Sequence, residues 1–558
     1  MADCLKFKKS NCKNCYKCIR HCPVKSIRFS GDQANIISED CILCGNCFLN
    51  CPQNAKEIRN DTEKAKKLLM GPEPVYASVA PSFVANYDGV TIGSLEKALQ
   101  KLGFAGAEET AIGATIVKKQ YEDMLAEESS EIIITSCCHT VNLLIQKYYP
   151  KALPYLAKVI SPMHAHCMDI KRRVPGARTV FIGPCLSKKA EADQSGEWID
   201  CVLTFEELTD WLREQNILLG TEKEDTDKGL ARLFPTTGGI LKTITKNKDA
   251  YTFLAIDGVE NCIHALEDVI EGRLGKCFIE MSSCVGSCIG GPAMDQTRRS
   301  PVSDFLRVTG YAKEADFDTF VFQKNALKAE RPSLALRRVM MGKSKIEEVL
   351  KKMGKTKPED ELNCGSCGYN TCRDKAAAVL DGKANIGMCL PYLKEKAESF
   401  SDNIIRNTPN AILVVNEEYE VQQINDAACE LLNITNKQDV LGDHVVRILD
   451  PGPFMDAVQA KKNVYDRRTY LADYNKYVDQ TVIQDKSYHI IICIMRDVTK
   501  EVTQREEKES IRQKTIEITN NVVERQMRAV QEIASLLGET TAETKVALYK
   551  LKESLSNE

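Results

Sequence analysis

The sequence predicts a multidomain protein of mixed α/β and α+β class, and three observations carry that prediction. Cysteines fall in blocks, eight of them between residues 12 and 51 and four between 364 and 389. Between the blocks, short apolar runs such as EIIITS (131–136) and RTVFIG (178–183) alternate with helical segments such as 94–102, the pattern of buried strands in an α/β region. From residue 402 the composition changes. NAILVVNEEYEVQQINDAACELLNI alternates like a hairpin before turning helical, and beyond 500 the chain is polar and helix-prone.

At 558 residues, a prior of about 150 residues per domain gives roughly four domains. The local cues divide the chain more finely, into five segments. A hydrophobic content of 43% and a charged content of 27% are ordinary for a globular protein. No run approaches the ~18 uncharged apolar residues of a membrane span, and MADCLKFKKS lacks the apolar core of a secretion signal. A cytoplasmic protein is therefore expected, with no membrane span and no nucleic-acid partner. In a reducing compartment, 24 cysteines are better read as metal ligands than as disulfides. The net charge of −3 says little, but the first 30 residues carry eight Lys or Arg against one acid, Asp3. Those cations either offset anionic metal clusters or form a docking face for an acidic electron-transfer partner.

The first block reads Cys12-x2-Cys15-x2-Cys18-x3-Cys22-Pro, and the pattern repeats as Cys41-x2-Cys44-x2-Cys47-x3-Cys51-Pro. Three thiolates spaced by three residues on a turning loop cap one face of an iron–sulfur cube, and the cysteine before proline ligates the other cube. Cys12, Cys15, Cys18 and Cys51 then hold one 4Fe-4S cluster, and Cys41, Cys44, Cys47 and Cys22 the other. Zinc prefers paired CxxC units and gives no reason for the Cys-Pro ends. The segment resembles a bacterial two-cluster ferredoxin, which implies electron transfer.

Four stretches stand out in the middle region: VAPSF (79–83), TSCCHT (135–140), GPCLSKKAE (183–191) and IEMSSCVGSCIGG (279–291). Glycines beside cysteines let backbone approach a cofactor and offer amide donors to anionic ligands. Lys188 and Glu191, at +3 and +6 from Cys185, share roughly one helical face with it, which suits a cation aimed at a negatively charged metal ligand. Cys138, Cys185, Cys284 and Cys288 make a four-thiolate set whose members are far apart in sequence, as for a cluster buried between two lobes.

This combination resembles the two-lobed α/β catalytic domain of FeFe hydrogenases over about residues 75 to 300, through the signatures TSCCP-x-W, MPC-x-x-K-x-x-E and E-x-M-x-C-x-x-G-C-x-x-G-G. The resemblance implies that Cys138, Cys185, Cys284 and Cys288 hold the 4Fe-4S half of an H-cluster. Cys288 would bridge to a diiron unit bearing carbon monoxide, cyanide and an azadithiolate. Lys188, Ser82 and the backbone around Pro81 would bond the cyanides, Glu191 would brace Lys188, and Cys137 would pass protons. FPTTGG (234–239) looks like a further glycine turn lining that pocket. Departures are plain: Gly183 and Ser282 stand where methionines are expected, His139-Thr140 replaces Pro-x, and Leu143 sits near the tryptophan position. They imply a roomier, more polar pocket and slow hydrogen turnover. The family's relay glutamates do not map, and Glu122 is the nearest candidate.

The third block, Cys364-x2-Cys367-x4-Cys372-x16-Cys389, resembles a small 4Fe-4S domain of redox proteins, with zinc as the alternative. Residues ~400–500 resemble a PAS sensor domain, whose last strand, in HIIICIMRDVTKE, runs into a signalling helix. His444 is a structural residue or a haem ligand. Cys429 and Cys493 read as core. Most of the other cysteines outside the ligand sets (Cys4, Cys167, Cys201, Cys262 and Cys277) also read as core, and His164-x-His166-Cys167 as no separate metal site. Ile516, Val523, Val530 and Leu537 recur every seven residues, which suits a coiled-coil seam and a homodimer. Gly538 could stop that helix, and Thr540 with Glu543 could cap the next.

The expected domains are thus 1–58 (two-cluster ferredoxin), 59–355 (H-cluster domain), 356–398 (third 4Fe-4S domain), 399–500 (PAS) and 501–558 (signalling helix). Expected cofactors are the H-cluster and three further 4Fe-4S clusters. The function implied is a sensory FeFe hydrogenase that interconverts hydrogen with protons and electrons, exchanges electrons with an acidic carrier such as ferredoxin, and reports to a partner of phosphatase or kinase type. The alternatives are a metabolic hydrogenase and a non-catalytic iron–sulfur assembly scaffold of the same fold.

Overall fold

The computed structural model describes residues 4–8, 11–31, 33–128, 130–221, 227–246, 250–297, 299–336, 342–459, 463–537 and 542–556. Gly538 and Thr540, the expected helix stop and cap, lie outside them. The chain divides into two compact units, Met1–Tyr392 and Leu393–Glu558.

The first unit begins with a small two-fold arrangement that follows the repeated cysteine pattern. The antiparallel pair Leu5–Phe7 and Lys56–Ile58 closes its ends, and the hairpin Ile27–Ser30/Gln33–Ile36 joins its halves. Each half carries one short helix, Lys17–Arg20 and Asn46–Leu49, entered through a left-handed residue, Tyr16 or Gly45. Gly45 is required twice over: its φ is +79°, and a Cβ there would lie 2.6 Å from Pro292. That close approach seats the second cysteine loop on the central region, where Lys147 and Tyr148 donate to the carbonyls of Cys41 and Asp40, each at 2.6 Å.

The central region is built on two parallel sheets. One has the order Gly106–Glu109, Val75–Val79, Arg178–Gly183, Cys201–Thr204. The other has the order Thr252–Asp257, Cys277–Ser282, Ile132–Ile134. The central strands are buried on both faces, which explains their continuous apolar runs. Helices Ala111–Glu127 and Pro162–Arg173 cross so closely that a Cβ on Gly113 would meet the Pro162 carbonyl at 2.2 Å. The four stretches singled out in the middle region each follow the carboxyl end of a strand: Pro81-Ser82 after Val79, Cys137-Cys138 after Ile134, Cys185 after Gly183, and Cys284 after Ser282. Parallel α/β sheets place their ligands at those ends.

Helix Lys343–Lys352, expected to end the preceding domain, buries Val349 and Leu350 against Met353, Ala376 and Cys389, and so belongs to the core around the third cysteine block. The segment after it is an ordered turn, in which Asp360 accepts from the amides of Thr356 and Lys357.

The second unit holds a five-stranded antiparallel sheet in the order Val421–Ile424, Ala411–Asn416, Ile490–Asp497, Lys476–Asp485, Val464–Leu471. Helices Asp426–Leu431 and Gly452–Gln459 accompany the sheet around a core of Leu413, Val415, Phe454, Val482 and Cys493. The last strand runs directly into the helix Thr499–Leu537, about 58 Å long at ~1.5 Å per residue. Ile516, Val523 and Val530 are half-buried along it, and so are Thr519, Asn520 and Met527 between them. Among the described residues, no helix is long and apolar enough to cross a membrane.

Candidate functional site

The four strand-end loops enclose a cavity of about 100 Å³ walled by Ser82, Cys137, Cys138, Cys185, Lys188 and Cys288 among others. Cys288 is exposed, and the space it faces is this cavity. Cys284 lies beside it: burial pushes its thiol up, and Cys185, Cys138 and Cys288 are near enough to push it further. Ser283 links two of the four, its hydroxyl standing 3.7 Å from Cys138 Sγ and 3.8 Å from Cys284 Sγ. The structure therefore gathers Cys138, Cys185, Cys284 and Cys288 at one place.

Lys188 Nζ donates to Glu191 at 2.5 Å and to the Cys137 carbonyl at 3.1 Å. Burial would raise the Glu191 carboxyl, but the charge and hydrogen bond of Lys188, with smaller help from His139 and Ser161, together hold the group down at about 2. The Ser82 hydroxyl is fully buried on the cavity wall without a hydrogen-bond partner. An unsatisfied buried hydroxyl costs about 1–3 kcal/mol. A cation and an orphaned donor on the cavity wall, with three of the four thiols on that wall and Cys284 beside it, fit an anionic iron–sulfur group with small polar ligands.

Cys137 Sγ lies 3.2 Å from the Tyr121 hydroxyl, which also accepts from the Ser136 amide at 3.0 Å. Burial pushes the Cys137 thiol up to about 12, with Glu280 contributing and Tyr121 and Lys188 opposing. Glu280 also lines the cavity. Burial raises its carboxyl to about 7 even though it accepts from the amides of Gly238, Ile240 and Leu241. Those bonds set the FPTTGG turn, whose Phe234 and Pro235 face the cavity as expected. Tyr121 and Glu280 are site residues to which the sequence assigned no role, although Glu280 opens the third motif. Glu122 is not one: it accepts from the amide and hydroxyl of Thr245, both at 2.9 Å, in a separate pocket with Lys118 and Asp316.

Two departures from the hydrogenase pattern have local consequences. The space opened by Gly183 is not empty, since a Cβ there would meet the Phe181 ring at 2.6 and 2.7 Å. The pocket is therefore no roomier at that point. His139 starts the helix His139–Tyr148 with Nε2 buried and unpartnered, and burial holds its imidazole neutral with a value of about 4. Thr140 Oγ1 reaches the Leu43 carbonyl at 3.4 Å in the second cysteine loop.

The remaining cysteines also assemble as sets. Cys18 is pushed up by burial and by Cys15, Cys12 and Cys51, with Lys56 opposing. Cys44 is pushed up by burial and by Cys22, Cys47 and Cys41. The cysteine before each proline thus sits with the opposite triplet. Cys364, Cys367, Cys372 and Cys389 line one small cavity with Tyr369 and Lys375. Burial brings the Lys375 ammonium down to about 8, while Cys367 and Cys389 oppose that shift. This third set is fastened to the first region. Lys25 Nζ donates to the carbonyls of Ile19, Arg20 and Gly368, and Arg20 to that of Ser366. Two of the eight N-terminal cations are therefore occupied inside the molecule. His444 is exposed and caps a short turn, its Nδ1 accepting from the Val446 amide. Cys4, Cys167, Cys201, Cys262, Cys277, Cys429 and Cys493 are buried.

Residues 73–292 match the family model for the C-terminal domain of the iron-only hydrogenase large subunit. Residues 4–67 match a 4Fe-4S dicluster domain, 360–391 an Fe-S cluster family and 409–500 a PAS domain. The chain is 26% identical over 299 residues to the periplasmic [Fe] hydrogenase large subunit of Nitratidesulfovibrio vulgaris, covering 43% of this chain and 70% of that protein. It is 24% identical over 356 residues to the human nuclear prelamin A recognition factor, covering 47% of this chain and 75% of that protein. It is 25% identical over 205 residues to the cytosolic Fe-S cluster assembly factor NAR1 of Encephalitozoon cuniculi, covering 32% and 56%. Among solved structures it is similar to the [FeFe]-hydrogenase HydA1 of Chlamydomonas reinhardtii, with a TM-score of 0.42 and 17% identity, over 50% of this chain and 100% of that one. Between a 4Fe-4S dicluster domain and a PAS domain, the chain carries the C-terminal domain of an iron-only hydrogenase large subunit.

Proposed function

We propose that the cavity is the active site of an FeFe hydrogenase of sensory type, which turns over hydrogen slowly and reports hydrogen or redox state to a partner protein. One observation carries this reading: the thiols of Cys138, Cys185 and Cys288, with Cys284 beside them, share one cavity with a braced lysine and an unpartnered buried serine. When bound there, an H-cluster supplies the redox chemistry that interconverts hydrogen with two protons and two electrons. Cys138, Cys185, Cys284 and Cys288 would hold its 4Fe-4S part. Lys188, kept charged by Glu191, and the unpartnered Ser82 hydroxyl would orient its anionic ligands. The apolar wall formed by Phe181, Met163, Phe234 and Met281 excludes water, which strengthens those polar contacts.

Protons need a carrier inside that wall. Cys137 would fill this role, its thiol 3.2 Å from the Tyr121 hydroxyl and near enough to the Glu280 carboxylate to feel its charge. A thiol pushed up to about 12 stays protonated at neutral pH, so it acts by giving and regaining a proton and not as a standing thiolate. Three further quartets, Cys12/Cys15/Cys18/Cys51, Cys22/Cys41/Cys44/Cys47 and Cys364/Cys367/Cys372/Cys389, would each hold a 4Fe-4S cluster, and an acidic carrier such as ferredoxin would exchange electrons with them. The PAS domain and the Thr499–Leu537 helix would pass the signal to a partner of phosphatase or kinase type, from a homodimer.

The similarity to an iron–sulfur assembly factor favours a second reading, a scaffold without hydrogen chemistry. The Cys185, Lys188 and Glu191 constellation argues for the first, because a scaffold needs no braced cation beside an orphaned hydroxyl. Infrared spectroscopy of protein loaded with a diiron complex, with and without hydrogen, separates the readings. Carbonyl and cyanide bands that respond to hydrogen are expected. Absent bands support the scaffold, and bands indifferent to hydrogen remove the sensory role.

A further inference from the structure

On the side of the cavity formed by Ser82, Thr110 and Ala114, a chain of polar side chains leaves the wall and reaches solvent. Thr110 Oγ1 lies 2.7 Å from Ser78 Oγ, and Ser78 Oγ lies 2.8 Å from His166 Nδ1. On its other edge His166 Nε2 lies 3.2 Å from Glu108 Oε2. Ser78, Thr110 and His166 are buried, whereas the Glu108 side chain is 26% exposed. We infer that Thr110, Ser78, His166 and Glu108 form a proton relay between the cavity and the surface, independent of Cys137. The inference rests on the reading of the cavity as a site of hydrogen turnover.

The fold produces this alignment by register. Ser78 and Glu108 are paired residues on adjacent parallel strands, so their side chains stand on one face of the sheet. Thr110, two residues beyond Glu108, continues along that side, whereas Glu109 between them turns away to pair with Arg232 at 2.6 Å. Helix Pro162–Arg173 covers the same face and lowers the His166 ring between Ser78 and Glu108. Gly113 permits that approach, since a Cβ there would lie 2.7 Å from His166 Cβ.

A histidine that only fastened a helix would need a single anchor. Here each ring nitrogen has a partner, and one partner leads inward and the other outward. With both hydroxyl protons pointing outward and His166 protonated on Nε2, a proton arriving at the Thr110 oxygen displaces the hydroxyl proton to Ser78. Ser78 gives its own proton to Nδ1, and Nε2 passes its proton to Glu108 and thence to water. Rotation of the hydroxyls restores their direction, and an outward swing of the ring, in which Nδ1 gives its proton to water while Nε2 regains one from water, restores the tautomer; no electron moves. The groups facing the imidazole suit its brief positive charge. Burial would raise the Glu108 carboxyl, but His166 and Arg173 hold it at about 2, so it faces the ring as an anion. Arg173 is engaged by Glu108 and Asp169, and Arg172 by Asp169.

Two experiments test the relay. Nitrogen NMR of the histidine-labelled protein, before any diiron unit is loaded, should show one buried ring protonated on Nε2 and accepting at Nδ1, and Ser78→Ala should shift the Nδ1 signal alone. A ring protonated on Nδ1, or one indifferent to Ser78→Ala, overturns the relay. In loaded protein, Thr110→Val and Ser78→Ala should each lower hydrogen–deuterium exchange and alter its solvent isotope effect, with unchanged infrared bands and with the chain still folded at the assay temperature despite the lost buried hydrogen bonds. Bands present with unchanged exchange in both variants overturn the relay and leave the cavity reading standing. Bands absent from the wild-type protein overturn the cavity reading and the relay with it.

Discussion

The interior of the hydrogenase domain and the interior of the PAS domain treat buried polar atoms in opposite ways. On the cavity wall Ser82 Oγ is buried without a partner, and so are His139 Nε2 and Ser187 Oγ, beside the cavity cysteines Cys138 and Cys185 in sequence. In the PAS domain the equivalent atoms are satisfied. Asn425 is 1% exposed and makes four bonds: it accepts from the amides of Ile412 and Ala428 and donates to the carbonyls of Ile405 and Asn410. Gln480 Nε2 likewise finds Cys493 Sγ at 3.3 Å. The first interior leaves polar atoms free for a ligand. The second uses them to fix its own shape.

The contrast predicts different failures. The largest belongs to Cys185→Ala, which removes one of four thiols from the cavity set: iron bound at that site and the carbonyl and cyanide bands should be lost, while circular dichroism of the folded chain persists. Next in size is Asn425→Ala. It strands two amides and two carbonyls, so the PAS transition in calorimetry should fall by about 3 kcal/mol or more, with the infrared bands unchanged. Loss of those bands would show that the two interiors are not independent. Gly183→Met tests the filled space. Overpacking against Phe181 should cost about 1–3 kcal/mol, and a second change, Phe181→Ala, should recover part of it. If Gly183→Met alone were neutral, the ring would be free to move and the pocket roomier than its contacts indicate.

A smaller effect follows from Glu191. Its carboxyl is held at about 2, below its ordinary 4.5, chiefly by Lys188 acting against burial. A depressed carboxyl contributes stability that is present above its unfolded value and lost as pH falls towards the folded one. The hydrogenase domain should therefore lose stability between about pH 4.5 and 2, and Glu191→Gln should flatten that part of the profile. A profile as steep as the wild type would assign the acid sensitivity to other carboxylates.

What the sequence made legible was whatever chemistry is written in spacing. The cysteine triplets and their Cys-Pro partners could be paired off before any coordinates, because three-residue steps on a loop constrain which thiols meet. Order and residue type located the cavity thiols through a family resemblance. Contacts set by register and helix crossing were not legible. That Ser78 stands beside Glu108 depends on which strands pair, and that Phe181 fills the space at Gly183 depends on two side chains sharing one face of a strand. Lys25 and Arg20 read as cluster-offsetting or docking cations because nothing local shows that Gly368 and Ser366, more than 340 residues away, are their partners.

The smallest predicted effect separates two neighbours on one helix. Consecutive helical residues point about 100° apart, so Tyr121 and Glu122 cannot face the same site. Tyr121 faces Cys137. Glu122 faces Thr245, and Lys118 near it is already paired with Asp316 at 2.6 Å. Glu122→Gln keeps an acceptor for Thr245, so turnover should stay within roughly twofold, less than about 0.5 kcal/mol of barrier. Tyr121→Phe removes the hydroxyl beside the Cys137 thiol and leaves the Ser136 amide without its acceptor, so its turnover should fall further at the same protein concentration and iron content. Equal losses from the two changes would mean that the helix does not divide them, and that protons leave the cavity past Glu122 after all.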